Sequence, residues 1–101
     1  MSCRTVGFEH GTCLVEIQPE PGVPSASNFT AFLSLVEDNG TVVRPLVLRD
    51  GHRVRIRAAS EPVALESAIR YLESRFGAKS GSDAPCALGR ATIGRPVAVA
   101  E

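Results

Sequence analysis

Tryptophan is absent from this chain of 101 residues, and tyrosine and methionine occur once each. Aromatic residues make up 5%, and a nucleic-acid surface usually mixes basic residues with exposed aromatics or amides. Lysine is almost missing too: Lys79 stands against ten arginines. No apolar run approaches the roughly 20 residues that span a bilayer, and no basic start leads into an apolar signal region. The expected location is therefore the cytoplasm, with no membrane partner. Cys3, Cys13 and Cys86 are odd in number and widely scattered, which fits reduced thiols better than a secreted disulfide framework. A formal net charge of zero argues against a polyanion found by long-range attraction. No phosphate loop, nucleophile triad or Cys-x2-Cys pair is present. No catalysis, cofactor or metal is expected.

What is present is ordinary for a globular domain, with 44% apolar and 22% charged residues and room for one small core. Residues 1–27 read as an N-terminal segment containing a short strand, Thr12 to Ile17, and a connector with Pro19, Pro21, Gly22 and Pro24 that cannot be helical. Residues 28–77 carry the organised part. Phe29 to Glu37, Thr41 to Leu48 and His52 to Ala59 read as strands, joined by Asn39-Gly40 and Asp50-Gly51, whose residues suit the positive backbone angles of tight turns. Ser60 then suits an N-cap, with Glu61 and Pro62 tolerated in the first turn. Leu65, Ala68, Ile69, Leu72 and Phe76 recur on one helical stripe, Glu66 and Arg70 form an i, i+4 pair, and Gly77 follows as C-cap. Residues 78–101 read as a flexible tail in which Thr92-Ile93 and Val97 to Val99 either add a strand or stay loose. The expected class is α+β: a three-stranded antiparallel meander, with Thr12 to Ile17 a candidate fourth strand, followed by one amphipathic helix on one face.

Two geometric expectations follow. If both turns were two-residue loops, Thr41 and Arg49 would be hydrogen-bonded pair residues facing opposite neighbouring strands, yet they have the same parity. One turn must be a longer loop, or the central strand must bulge, with Pro45 the natural place because it lacks a donor. Second, the first two strands are apolar on both sides, whereas one helix covers one face. The other face then needs a cover, either the terminal segments or a second copy.

The candidate chemistry lies in arginine. From Arg44 to Arg57 five arginines face one acid, whereas Glu9 to Asp38 holds five acids and no lysine or arginine. Arg53, Arg55 and Arg57 alternate with Val54, Ile56 and Ala58, so they share one face, with Arg44 close by. Such a row suits a phosphate backbone or a solvated strand that resists edge pairing. Cys3, His10, Cys13 and Cys86 have zinc-binding chemistry without zinc-site spacing. The order strand-strand-strand-helix over Phe29 to Gly77 resembles the double-stranded RNA-binding domain and the small sheet-plus-helix DNA readers of phage-type integrases. In the former a leading helix and a Lys-rich helix start bind the duplex. Nothing helical precedes Phe29 here, and the helix opens on Ser60-Glu61-Pro62, so no functional residue is carried over. The expected role is a non-catalytic protein-binding module, with self-association through Leu33, Leu35, Leu46 and Leu48 on the uncovered face. The alternative is a nucleic-acid binder using Arg44, Arg53, Arg55 and Arg57.

Overall fold

Runs rich in apolar residues over nine positions make Gly11–Pro19 (β2) and Phe29–Glu37 (β3) the long central pair, in register from Thr12↔Val36 to Pro19↔Phe29. The computed structural model describes residues 2–20, 28–37, 40–80, 84–85 and 92–99. Ser2–Phe8 (β1) pairs antiparallel with β2, and Val42–Val47 (β4) with the second half of β3. Arg55–Ala58 (β5) pairs with the first half of β3, from Phe29↔Ala58 to Phe32↔Arg55. Glu61–Phe76 (α1) crosses one face. Three two-residue strands finish the sheet: Ala84–Pro85 (β6) beside β1, then Thr92–Ile93 (β7) and Val97–Ala98 (β8), both parallel to β4. The α+β class with one helix on a mostly antiparallel sheet is as expected. Two further strands precede β3, so the chain departs from the helix-led order of the RNA-binding domain. β5 lies against β3, where a simple meander would set it against β4 along its whole length.

The helix is built as its sequence implies. Ser60 is extended, and its Oγ accepts a bond from the Val63 N–H at 3.4 Å, satisfying one of the first-turn donors. Glu66 binds Arg70 at 2.8 Å. Ala64, Ala68 and Leu72 are buried against Val6, Phe8, Cys13, Val15, Ile17, Ala31 and Leu33, with Leu65, Ile69 and Phe76 packed at the margin. Burying a leucine or valine side chain of this kind stabilises by roughly 1.5–3 kcal/mol, so these residues supply most of the driving force. Gly77 closes the helix with φ +86° and its N–H on the Glu73 carbonyl. The residues on either side of Gly77 bond to the β1–β2 turn, the Phe76 carbonyl accepting from the His10 N–H at 2.8 Å and the Ala78 carbonyl from the Glu9 N–H at 3.1 Å.

The turn contradiction resolves through loop length. Glu37 pairs with Val42, leaving residues 38–41 between them, and the Leu48 N–H bonds the His52 carbonyl at 2.7 Å, leaving a three-residue loop. Gly51 supplies φ +90° there. Asn39 lies outside the described residues. Pro45 sits in β4 without a bulge, and its missing donor falls on the outer side of the strand. There the parallel partner breaks into β7 and β8.

The far face does not need a second copy. Leu14, Val43 and Val47 point away from the helix and are buried within one chain, as are Thr30 and Ser34. Among the described residues only Val63 and Ile93 are large apolar side chains left exposed, at 50% and 69%. The described chain ends at Pro85 on the β1 edge and resumes at Thr92 on the β4 edge. Thr92–Ile93 and Val97–Ala98, which read as part of a flexible tail, are instead tied down as strands beside β4, and Val99 enters the core.

Candidate strand-docking edge

The parity of the backbone bonds shows which edges are used. The Glu20 N–H bonds the Asn28 carbonyl at 3.0 Å, so the even residues of β3 turn their backbone groups to β2 and the odd ones to β4 and β5. On β4 the even residues therefore face β3, and the odd ones face outward. There the Val43 and Val47 carbonyls accept bonds from Gly94 and Val99 at 2.8 and 2.9 Å. On β5, Ile56 and Ala58 bond β3, while Arg55 and Arg57 point their N–H and C=O groups away from the sheet.

β3, β4 and β5 thus meet at one fork. β3 changes partner between Phe32↔Arg55 and Ser34↔Pro45, and the Val54 N–H bonds the Leu46 carbonyl at 3.0 Å where β4 and β5 join each other. Each of the three has a second edge. That of β3 is taken by β2 and that of β4 by β7 and β8. No strand among the described residues pairs with the outer edge of β5.

The four arginines proposed together do different work. Arg53 turns inward: its guanidinium lies 5.0 Å from the Phe32 ring centroid and donates to the Leu33 carbonyl at 3.4 Å and to Ser34 Oγ at 3.2 Å. Arg44 is tied to the Glu37 carboxylate at 3.0 Å and the Arg95 carbonyl at 3.0 Å. Arg57 binds Glu20 at 2.9 Å while its side chain stays 67% exposed. Arg55 is exposed, with no ion partner among the described residues. Arg55 and Arg57 line a shallow groove of about 550 Å³ with Gln18, Pro19, Glu20, Thr30 and Phe32.

The four leucines do not lie on an uncovered face. Leu33 and Leu46 are fully buried, and Leu35 and Leu48 pack against the same core beneath the helix. Their parity is the helix-facing one. Cys3 is disulfide-bonded, which corrects the expectation that all three thiols are reduced, whereas Cys13 is free and buried. Cys86 lies outside the described residues. His10 is exposed beside Glu9, and no group of three or more metal-ligating side chains occurs among the described residues. No described helix is long and apolar enough to cross a membrane.

Comparison with protein-family models, curated proteins and solved structures gives no match.

Proposed function

We propose that this protein is a non-catalytic protein-binding module that takes an extended segment of its partner onto β5 by strand addition. One observation carries this reading: β5 is the member of the three-strand fork whose outer N–H and C=O groups, those of Arg55 and Arg57, have no strand beside them among the described residues. Backbone pairing along such an edge supplies affinity, and pockets for alternate side chains supply specificity. The exposed side chains of Arg55 and Arg57, which border the groove over β2 and β3, stand beside those alternate side chains. Nucleic-acid binding has weaker support, because two of the four arginines are neutralised by Glu37 and Glu20. A third covers the ring of Phe32, the aromatic of the groove.

The test is selection from a displayed library of random short peptides against the full chain. Proline at position 55 removes an outward donor without touching a β3–β5 bond. Enriched peptides are expected to lose binding to Arg55→Pro, provided the variant keeps its circular dichroism and melting transition. Enrichment of nothing, or of peptides that bind Arg55→Pro equally well, removes this reading.

A further inference from the structure

We infer that the segment β5 receives is acidic, with carboxylates two residues apart, and that it belongs to a different protein, not to a second copy of this chain. This inference rests on the strand-addition reading above. Along β5 only odd residues turn backbone groups outward, and those residues are arginines. A strand added here bonds through Arg55 and Arg57, so its own paired residues stand beside their side chains on the far face of the sheet. Directly opposed residues of an antiparallel pair have Cβ atoms about 4.5–5.5 Å apart, where opposite charges attract and like charges destabilise. A second copy of β5 is subject to the same parity rule. Odd must pair with odd, and arginine then faces arginine. Self-pairing along this edge is therefore disfavoured by the residues that make the edge available.

The chain itself shows the favoured arrangement. Glu20, at the end of β2, places its carboxylate 2.9 Å from the Arg57 Nε. Arg55 has the same orientation, the same groove beside it and no carboxylate among the described residues. An incoming strand with an acid opposite Arg55 completes what Glu20 begins at Arg57. A second acid two residues along competes with or shares Arg57, whose exposed side chain leaves room for it. The intervening residues of the incoming strand face the helix side, beside Ile56 and Ala58, where β-branched apolar side chains fit.

Three synthetic peptides test this, each alternating valine with one other residue: glutamate, glutamine or lysine. Binding to the full-length protein is read by fluorescence anisotropy. The glutamate peptide is expected to bind about fivefold more tightly than the glutamine peptide, the size of two exposed ion pairs. The lysine peptide is expected to bind more weakly still. The glutamate preference should vanish in the double variant Arg55→Gln, Arg57→Gln and shrink as salt is raised. All binding should fall in Arg55→Pro, with Arg57→Pro as the second variant if the first does not fold. Equal binding of the glutamate and glutamine peptides, both lost in Arg55→Pro, overturns the acidic partner and leaves strand addition intact. Binding of all three peptides that ignores both proline variants overturns both. A dimer in sedimentation that Arg55→Pro dissociates overturns the exclusion of a second copy. Tighter binding of single-stranded oligothymidine than of the glutamate peptide, lost with both arginines, overturns a protein partner.

Discussion

The guanidinium of Arg53 completes the hydrogen bonding of Leu33, whose carbonyl lies 3.4 Å from Nη2 at the point where β3 passes from β5 to β4. Neither neighbouring strand reaches that carbonyl, because the backbones of β4 and β5 are there bonded to each other through Leu46 and Val54. A long cationic side chain fills the fork, with Ser34 Oγ as its second acceptor and the Phe32 ring beneath it.

Replacing Arg53 by methionine keeps the packed stem and removes the donors. Hydrogen bonds from a charged group are worth about 1.5–3 kcal/mol, and an orphaned buried carbonyl adds a cost. The Arg53 Nε, however, is itself buried without a partner, and losing it returns part of that. Arg53→Met is therefore expected to destabilise by about 1–2 kcal/mol in urea unfolding, whereas Arg55→Met should stay within about 0.5 kcal/mol. Equal effects at the two positions would show that Arg53 is not the plug of the fork.

Cys13 faces the helix inside the core, and burial pushes its thiol up to about 12 from 9.0. A folded value above the unfolded one means that stability is full below 9.0 and declines as pH rises toward 12, where the unfolded thiol ionises and the folded one does not. At about pH 10 the expected loss is on the order of 1 kcal/mol relative to Cys13→Val measured at the same pH. Iodoacetamide followed by peptide mapping supplies the second readout. Cys13 should remain unmodified in the native protein and react on unfolding. Rapid native alkylation of Cys13 would contradict its placement.

The three-residue turn carries its own titration. Asp50 accepts the His52 side chain at 2.9 Å and the His52 N–H at 3.0 Å, and these bonds hold its carboxyl below the usual 3.8. A lowered folded value means that the turn's stabilisation is present above 3.8 and lost as pH falls through the folded value. Carboxyl-carbon NMR should place the Asp50 midpoint below 3.8, and His52→Ala should bring it back toward that value. A midpoint at or above 3.8 in the unaltered protein would show that the turn does not hold His52 against Asp50.

Phe29 to Gly77 is legible because each local signal agrees with the next: turn glycines, a serine cap, a stripe at helical spacing. β1 is not legible, since Arg4 shares a face with Val6 and Phe8 and breaks the alternation by which a strand is recognised. The tail strands are two residues long, below any periodicity. Both parities of β3 and β4 are apolar, so nothing local says which one meets the helix, and only the long-range packing turns Leu33, Leu35, Leu46 and Leu48 toward it. Arg53, Arg55 and Arg57 look equivalent in a string of residues. Only the long-range pairing that creates the fork sends one inward and leaves the other two on an edge that no described strand covers.

Gly77 joins the helix to the β1–β2 turn in a conformation that side chains rarely adopt, φ +86° with ψ −178°. An added Cβ would also lie 2.8 Å from the Glu9 Cβ and 3.2 Å from the His10 ring. Gly51 has nearly the same φ, +90°, with nothing within 4 Å of its notional Cβ. The pair separates two costs. Gly51→Ala should lose about 1 kcal/mol from backbone strain alone. Gly77→Ala should lose about 2–4 kcal/mol, because the clash must be relieved by moving the turn that bonds to Phe76. If the two alanine variants unfold at the same urea concentration, the close approach of the β1–β2 turn to the helix end is not part of the folded protein.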